Sequence, residues 1–408
     1  MRSRQLLCLL WLLAIATCTF LILTHQIITS SGEIGSFATP PSKAWAAEMD
    51  VEVDKFASVE DTWSIWRTSI DDFPCHDPGI KLPYRSDTAD GLPLNEKAFY
   101  TKNAFNSHEK IPTRGLLFLK PMKVGSSTAT GINLRISKNV AERQHANFSL
   151  CENSYDHAVG QYFRNRDVVN SFLWSFVRQP DKRAVSWFYH FVISRRKVEP
   201  TLGLFKASLA NTKDYYLKLH RLEAKQWEKK KKTEQFYNMT INGILQSYNF
   251  IGITERFDES LMVLQQLLGV PLGDLLYFSV KVNGEYDDKC HLIRNTHLTP
   301  QMKAYLKSQD WLDRMKWDKA FYDAANAKLE RTIDKLGRAK LEKNLETFQA
   351  AKKVVADKCQ PLAKLPCDDE GARRNANETN CLFLDSACAY DCIDQVAKEL
   401  GLDDITVQ

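Results

Sequence analysis

Little in this chain is extreme, and each shortage excludes something. It has only 17 glycines and 14 prolines in 408 residues and no internal repeat, so collagen-like and solenoid architectures are out. Its 55 Lys and Arg stand against 50 Asp and Glu, a net charge of +5. That surplus is too small for composition to point to nucleic acid, though it leaves room for local basic sites that hold anions. The nine histidines do not cluster, so no His-rich metal site is legible. With 44% hydrophobic and 26% charged residues, wholesale disorder is excluded as well. Long apolar runs are absent apart from one.

That run is Leu6 to Leu23, 18 residues without a charge, about the minimum for a membrane-spanning helix. Arg2 and Arg4 precede it. The positive-inside rule then predicts a single-pass type II arrangement, with a short cytosolic tail and the remainder lumenal. A cleaved signal peptide is the competing reading, with Ala14-Ile15-Ala16 as its cleavage site. The apolar run continues past that site to Leu23, which favours an uncleaved signal-anchor.

Three triplets fit N-glycosylation in an exported chain: Asn147-Phe148-Ser149, Asn238-Met239-Thr240 and Asn377-Glu378-Thr379. Cys8 and Cys18 fall in the apolar run. Eight cysteines remain: Cys75, Cys151, Cys290, Cys359, Cys367, Cys381, Cys388 and Cys392. Five of them crowd into 359–392, which predicts a disulfide-stapled tail in an oxidising compartment. Zinc is the rival, because Cys388 and Cys392 have ligand-like spacing. Without companion histidines, disulfides are the better reading.

Residues 24 to about 60 are mixed and polar, as a stem would be, and 60–110 carry turn signals without a period. From about 112, apolar runs alternate with helical patterns. Strands are expected at Gly115–Lys120, Ser171–Arg178, Phe250–Thr254 and Leu276–Val282. Helices are expected at Thr128–Lys138, Pro180–Ser194 and Phe257–Leu268, the last stopped by Gly269 and Pro271. The stretch from Pro300 to about Lys358 is helical in pattern. This alternation predicts an α/β fold, an open parallel sheet flanked by helices.

Two constellations carry chemistry. The first is Lys120-Pro121-Met122-Lys123-Val124-Gly125-Ser126-Ser127-Thr128, between a strand and a helix. A small-residue loop there exposes N–H groups at a helix N-terminus, which cradles phosphate. Lys123 adds charge, and the hydroxyls of Ser126, Ser127 and Thr128 add donors. It is no nucleotide-triphosphatase loop, because its lysine precedes the glycine. An ordinary capped turn reads the same residues more plainly. The second runs Phe176 to Tyr189, with Arg178 at a strand's carboxyl end and Ser186 eight residues on, within the following helix. A guanidinium fork and a hydroxyl converging on one anion suit phosphate. A structural ion pair for Arg178 and a self-bonded helical hydroxyl for Ser186 are the plain alternatives.

The pair of motifs resembles those of the Golgi carbohydrate sulfotransferases, the galactose 3-O- and heparan sulfate 2-O-sulfotransferases in particular. FLKPMKVGSSTATGINLR is similar to their 5′-phosphosulfate loop, and FVRQPDKRAVSWFYHF to their 3′-phosphate motif. FIGITERFDESLMVLQQLLGVPLGDLLYF and the segment Lys319 to Asn326 also look familial. The resemblance spans roughly 112–340. Val124 stands where relatives usually have Thr, and Gln179 where they often have Asp.

The resemblance implies a P-loop-like sulfotransferase fold and a PAPS (3′-phosphoadenosine 5′-phosphosulfate)-dependent O-sulfotransferase acting on a glycan, with no metal required. Lys120, Lys123, Gly125, Ser126, Ser127 and Thr128 would hold the 5′-phosphosulfate, with Lys123 on the leaving oxygen. Arg178 and Ser186 would hold the 3′-phosphate. His157 would be the general base, with His145 and His190 as alternatives; an imidazole suits that task near neutral pH. An anionic glycan could use Arg195-Arg196-Lys197 or Lys229 to Lys232, and Trp187 and Tyr189 could stack on sugars, although a solvated charge run and core aromatics are the blander readings. The expected layout is 1–5 cytosolic tail, 6–23 transmembrane anchor, 24–110 stem and N-terminal extension, 111–345 sulfotransferase domain and 346–408 helical, Cys-rich extension, in the Golgi membrane. A homo-oligomer is possible on this reading, and no nucleic-acid partner is expected. The rivals are a lumenal kinase or glycosyltransferase, a non-catalytic nucleotide- or glycan-binding protein of the same fold, and a protein-tyrosine sulfotransferase.

Overall fold

Three apolar runs pair side by side: β1 (Gly115–Leu119), β2 (Ser171–Val177) and β3 (Phe250–Ile253), in the order β1-β2-β3 and all parallel. Gly115 stands opposite Ser171, and Trp174 opposite Phe250. Every residue of the three strands is buried, as expected of a parallel sheet covered by helices on both faces. This computed structural model describes residues 115–404, apart from 144–158, 170, 211, 224–226, 228–231, 281–283, 288 and 384. The expected anchor and stem, Cys75, Cys151, the Asn147 triplet, His145, His157 and Lys229 to Lys231 lie outside the described residues. Among the described residues no helix is long and apolar enough to cross a membrane.

Helices alternate with the strands. After β1 comes α1 (Ser126–Arg143), two residues earlier and five later than its apolar pattern indicated. After β2, Pro180 opens α2 (Pro180–Trp187), which loosens into a π-turn over Phe188–Ser194. Three helices follow before β3: α3 (Leu202–Ser208), α4 (Tyr215–His220) and α5 (Glu234–Ser247). Beyond β3, α6 (Phe257–Leu268) stops where Gly269 turns left-handed at φ 63°. The helical stretch from Pro300 is three helices: α7 (Pro300–Tyr305), α8 (Gln309–Leu336) and α9 (Arg338–Cys359). Ser308 caps α8, and Gly337 at φ 96° breaks α8 from α9.

The expected fourth strand does not form over Leu276–Val280. Arg135, buried on α1, donates to the carbonyls of Gly273, Asp274 and Leu276. A carbonyl consumed by a guanidinium does not extend a ladder, so the segment runs as a 3₁₀ turn and an extended arm.

Two hydrophobic clusters sit under these elements. The larger joins the sheet, α1, α5, α6, α8, α9 and the tail. The smaller packs α2 and its π-turn against α3, α7 and the start of α8, around Phe188, Phe205 and Trp311. Trp311 also donates to Asp181 at 2.6 Å, tying α8 to the first turn of α2.

Among the described residues the cysteines pair as Cys290–Cys367, Cys359–Cys392 and Cys381–Cys388. Cys388 and Cys392, which had ligand-like spacing, therefore bond to different partners. Between them these bridges hold the tail hairpin β4 (Cys381–Phe383) and β5 (Ser386–Cys388) and the last helix, α10 (Tyr390–Glu399). The tail is not a loose appendix. A Cβ on Gly131 of α1 would lie 2.7 Å from the backbone nitrogen of Ala387, so only glycine lets β5 approach this closely. Of the two described glycosylation triplets, Asn377 is exposed on a 3₁₀ turn, while Asn238 is half-buried on α5.

Candidate functional site

The carboxyl ends of three parallel strands face one place, and each ends in polar residues. β1 runs into Lys120–Gly125, β2 into Arg178, and β3 into Thr254-Glu255-Arg256. Ligands bind open α/β sheets at this edge. The geometry there is tightly cross-linked.

The β1 loop turns through two left-handed residues, Lys123 at φ 66° and Gly125 at φ 77°. Gly125 has no Cβ to strain there, whereas Lys123 is held at a cost of order 1 kcal/mol. Gly125 also lies at a close approach: an added Cβ would touch the Phe257 ring at 3.4 Å. Its carbonyl accepts the N–H of Ala129 at 3.1 Å, so α1 begins here and its first-turn N–H groups lack intrahelical partners. Lys120 and Ser126 are buried, Lys123, Ser127 and Thr128 are half-buried, and Gly125 is exposed.

Arg178 reaches across to this loop. Its Nη1 donates to the Lys123 carbonyl at 3.3 Å, and its Nε stands 3.9 Å from Glu255. Its side chain remains 30% exposed, so part of the fork faces solvent. The two motifs, 55 residues apart in sequence, thus share one site. Ser186 is half-buried on α2. His190, one turn beyond it, is buried and stands 3.7 Å from the carboxylate of Asp287, which is a structural position. Arg195 is bound to the same carboxylate at 2.7 Å and is not an open basic patch. Tyr189 is core, with its hydroxyl donating to the His297 carbonyl.

Both departures from the familial pattern have local accounts. Gln179 caps α2, its side-chain oxygen accepting the Lys182 N–H at 2.9 Å, which is the service an aspartate would give. Val124 is fully buried, and its carbonyl accepts from the Thr254 hydroxyl at 2.9 Å.

Several residues at the site were not legible as such. The Thr254 hydroxyl lies between the carbonyls of Val124 and Val177, bridging all three strand ends. Glu255 accepts the Gln179 N–H at 3.2 Å and the Tyr322 hydroxyl at 3.1 Å, and pairs with Lys182 at 3.8 Å. Arg256 holds Glu259, Glu330 and Asn326. A Thr-Glu-Arg run directly after a buried strand was the available signal. Tyr215 and Tyr216 had none. The Tyr215 hydroxyl accepts the Met122 N–H at 2.9 Å, and the Tyr216 hydroxyl bonds both the N–H and the carbonyl of Arg178.

Beneath them lies a buried polar layer. Asp318 of α8 accepts the N–H groups of Tyr215 and Tyr216 at 2.9 and 2.8 Å, capping α4 from another helix. Burial pushes its carboxyl up to about 7, with Arg183 and those two N–H groups working against that rise. Arg183 is 1% exposed, its guanidinium 3.7 Å from the Tyr215 ring centre. His220, fully buried, bonds the Tyr216 carbonyl at 2.9 Å and the Ser175 hydroxyl at 3.1 Å. A carbonyl only accepts, so Nδ1 carries the proton and Nε2 faces Ser175.

Burial depresses His220 to about 4, against 6.5 for a free imidazole, despite the bond to Tyr216. A group depressed in the fold favours folding above its unfolded pKa, and that contribution is lost as pH falls through the folded value. The stability advantage of wild type over His220→Gln should therefore shrink by on the order of 3 kcal/mol between about pH 6.5 and 4. Urea titrations of both proteins across that range check it, and a constant gap would contradict the buried neutral imidazole.

Among the described residues no group of His, Cys, Asp and Glu is placed to hold a metal ion. No curated protein matches the chain. The model of the family described as galactose-3-O-sulfotransferase matches residues 217–379. That span takes in His220, β3 with Thr254-Glu255-Arg256, the long helices α8 and α9, and three of the bridged cysteines, and it begins downstream of the Lys123 loop and of Arg178. The match covers well under half of the chain and supports its placement among the carbohydrate sulfotransferases.

Proposed function

We propose that this chain transfers a sulfuryl group from PAPS to a hydroxyl of a glycan in the Golgi lumen. The observation that carries the reading is the bond from Arg178 to the Lys123 carbonyl, which unites two anion-binding motifs at the carboxyl edge of the sheet. The residues present fit the donor. A loop with left-handed Lys123 and Gly125 leads into the open first turn of α1, and the partly exposed Arg178 side chain stands beside it. The donor supplies a sulfuryl group on a phosphate leaving group.

In the reaction, the bond from sulfur to the bridging oxygen breaks and a bond from sulfur to the acceptor oxygen forms. The acceptor proton passes to a base, and 3′,5′-adenosine bisphosphate leaves. Lys123 would sit against the bridging oxygen, where negative charge grows. The N–H groups of Ser126, Ser127 and Thr128, with Lys120 and the hydroxyls, would hold the 5′-phosphate. Arg178 and Ser186 would hold the 3′-phosphate. His157 would take the acceptor proton, and positioning with charge stabilisation would do the rest, as in phosphoryl transfer.

Calorimetry of the full-length chain in mild detergent with 3′,5′-adenosine bisphosphate tests the donor. Micromolar binding, about −8 kcal/mol, is expected. Transfer of labelled sulfate from PAPS to a glycan panel, with a tyrosine peptide beside it, then tests the acceptor class. His157→Ala should keep nucleotide binding and lose turnover. A folded chain that binds no bisphosphate would favour a non-catalytic protein of the same fold.

A further inference from the structure

Tyr215 and Tyr216 are neighbours in sequence, yet their hydroxyls end on the backbones of different loops. Tyr215 holds Met122 in the β1 loop, and Tyr216 holds both polar groups of Arg178. The partners are 93 and 38 residues away. As consecutive residues at the start of one helix, the two tyrosines project from a single short piece of backbone. The helix start is itself fixed, since Asp318 takes both of their N–H groups and the Arg183 guanidinium lies against both rings. Phe321 packs near Tyr216 from α8.

We infer that Tyr215 and Tyr216 are positioning residues that set the spacing between the two phosphate-binding loops, and that Tyr216 thereby sets selectivity for a nucleotide bearing a 3′-phosphate. This rests on the proposed reading of the site, with the 5′-phosphate on the β1 loop and the 3′-phosphate on Arg178. Neither tyrosine is required to touch the nucleotide. Tyr216 acts by fixing the backbone from which the Arg178 fork projects. Tyr215 acts on the loop that every 5′-phosphorylated nucleotide would use.

The two hydroxyls therefore have different signatures. Tyr216→Phe keeps the ring and removes both bonds to Arg178. It should weaken 3′,5′-adenosine bisphosphate by about tenfold and adenosine 5′-monophosphate by a much smaller factor, the latter only through the Arg178 bond to the Lys123 carbonyl. Tyr215→Phe should weaken both nucleotides by a similar factor of a few, leaving their ratio as in wild type. The experiment measures both nucleotides on full-length wild type and both variants, by calorimetry with displacement for the weaker ligand, alongside thermal melts. A purely structural role would lower both affinities together in both variants, and so would overturn the inference. So would a wild-type ratio in a folded Tyr216→Phe; if that variant does not fold, a changed ratio in Tyr215→Phe would overturn it instead. A folded wild type that binds neither nucleotide would overturn the reading of the site and this inference with it. Wild-type binding with an unaltered ratio in Tyr216→Phe would overturn this inference alone.

Discussion

Arg178→Ala should reduce the affinity for 3′,5′-adenosine bisphosphate by roughly a hundredfold, about 3 kcal/mol, with the fold retained. Two losses add. The 3′-phosphate would lose a charge-assisted fork, and the β1 loop would lose the bond from Nη1 to the Lys123 carbonyl. Arg178 is partly exposed and its ion pair with Glu255 is long at 3.9 Å, so little stability depends on it. Arg178→Lys should recover only part of the affinity, because an ammonium keeps the charge but not the planar fork. Lys123→Ala provides the contrast. A lysine on the bridging oxygen works mainly as the bond breaks, so its loss should appear in kcat more than in nucleotide affinity. Calorimetry beside initial rates separates the two patterns. Equal, small effects of both alanine variants on binding and rate would remove the loop and the strand end from the donor site.

The second large effect is on stability. Arg135 lies buried in the middle of α1 and is 1% exposed. It bonds three carbonyls of the 273–276 segment and pairs with Asp394 of α10 at 2.5 Å. Burial alone would raise the Asp394 carboxyl, but Arg135 and Lys138 hold it below the usual aspartate range. Arg135→Ala leaves a carboxylate and three carbonyls without their guanidinium. It should cost about 3–5 kcal/mol in chemical denaturation, with the disulfides kept oxidised. Asp394→Asn should cost less, and the double variant less than the sum, because the two residues share one interaction. Full additivity would show that Arg135 and Asp394 do not couple the tail to α1. The consequence reaches function, since α1 is the helix whose N-terminus completes the proposed phosphate loop.

Much of this was legible from local pattern. Buried strands announce themselves as short apolar runs, and β1, β2 and β3 each fell within a residue of their expected ends. Gly269 and Pro271 stopped α6 where glycine's left-handed freedom allows. A crowd of cysteines without histidines read as disulfides, and three bridges formed among the described residues. The apolar arm after Leu275 was misread as a strand, because nothing local reveals that an arginine 141 residues earlier takes its carbonyl.

The sequence by itself determined where two sets of chemistry-bearing residues fall along the chain: a lysine and small hydroxyl residues after one strand, and an arginine after the next. Those depend on nearest neighbours and short periods, which a linear reading captures. Only the tertiary structure decided that the three strand ends meet, that Thr254 and Glu255 link them, and that Tyr215 and Tyr216 grip two loops from one helix. The same holds for the tail packed on α1 through Gly131 and Arg135. Such contacts join residues tens to more than a hundred positions apart. Their partners are chosen by packing and by the need of each buried polar group for a bond, and neither leaves a spacing in the sequence to read.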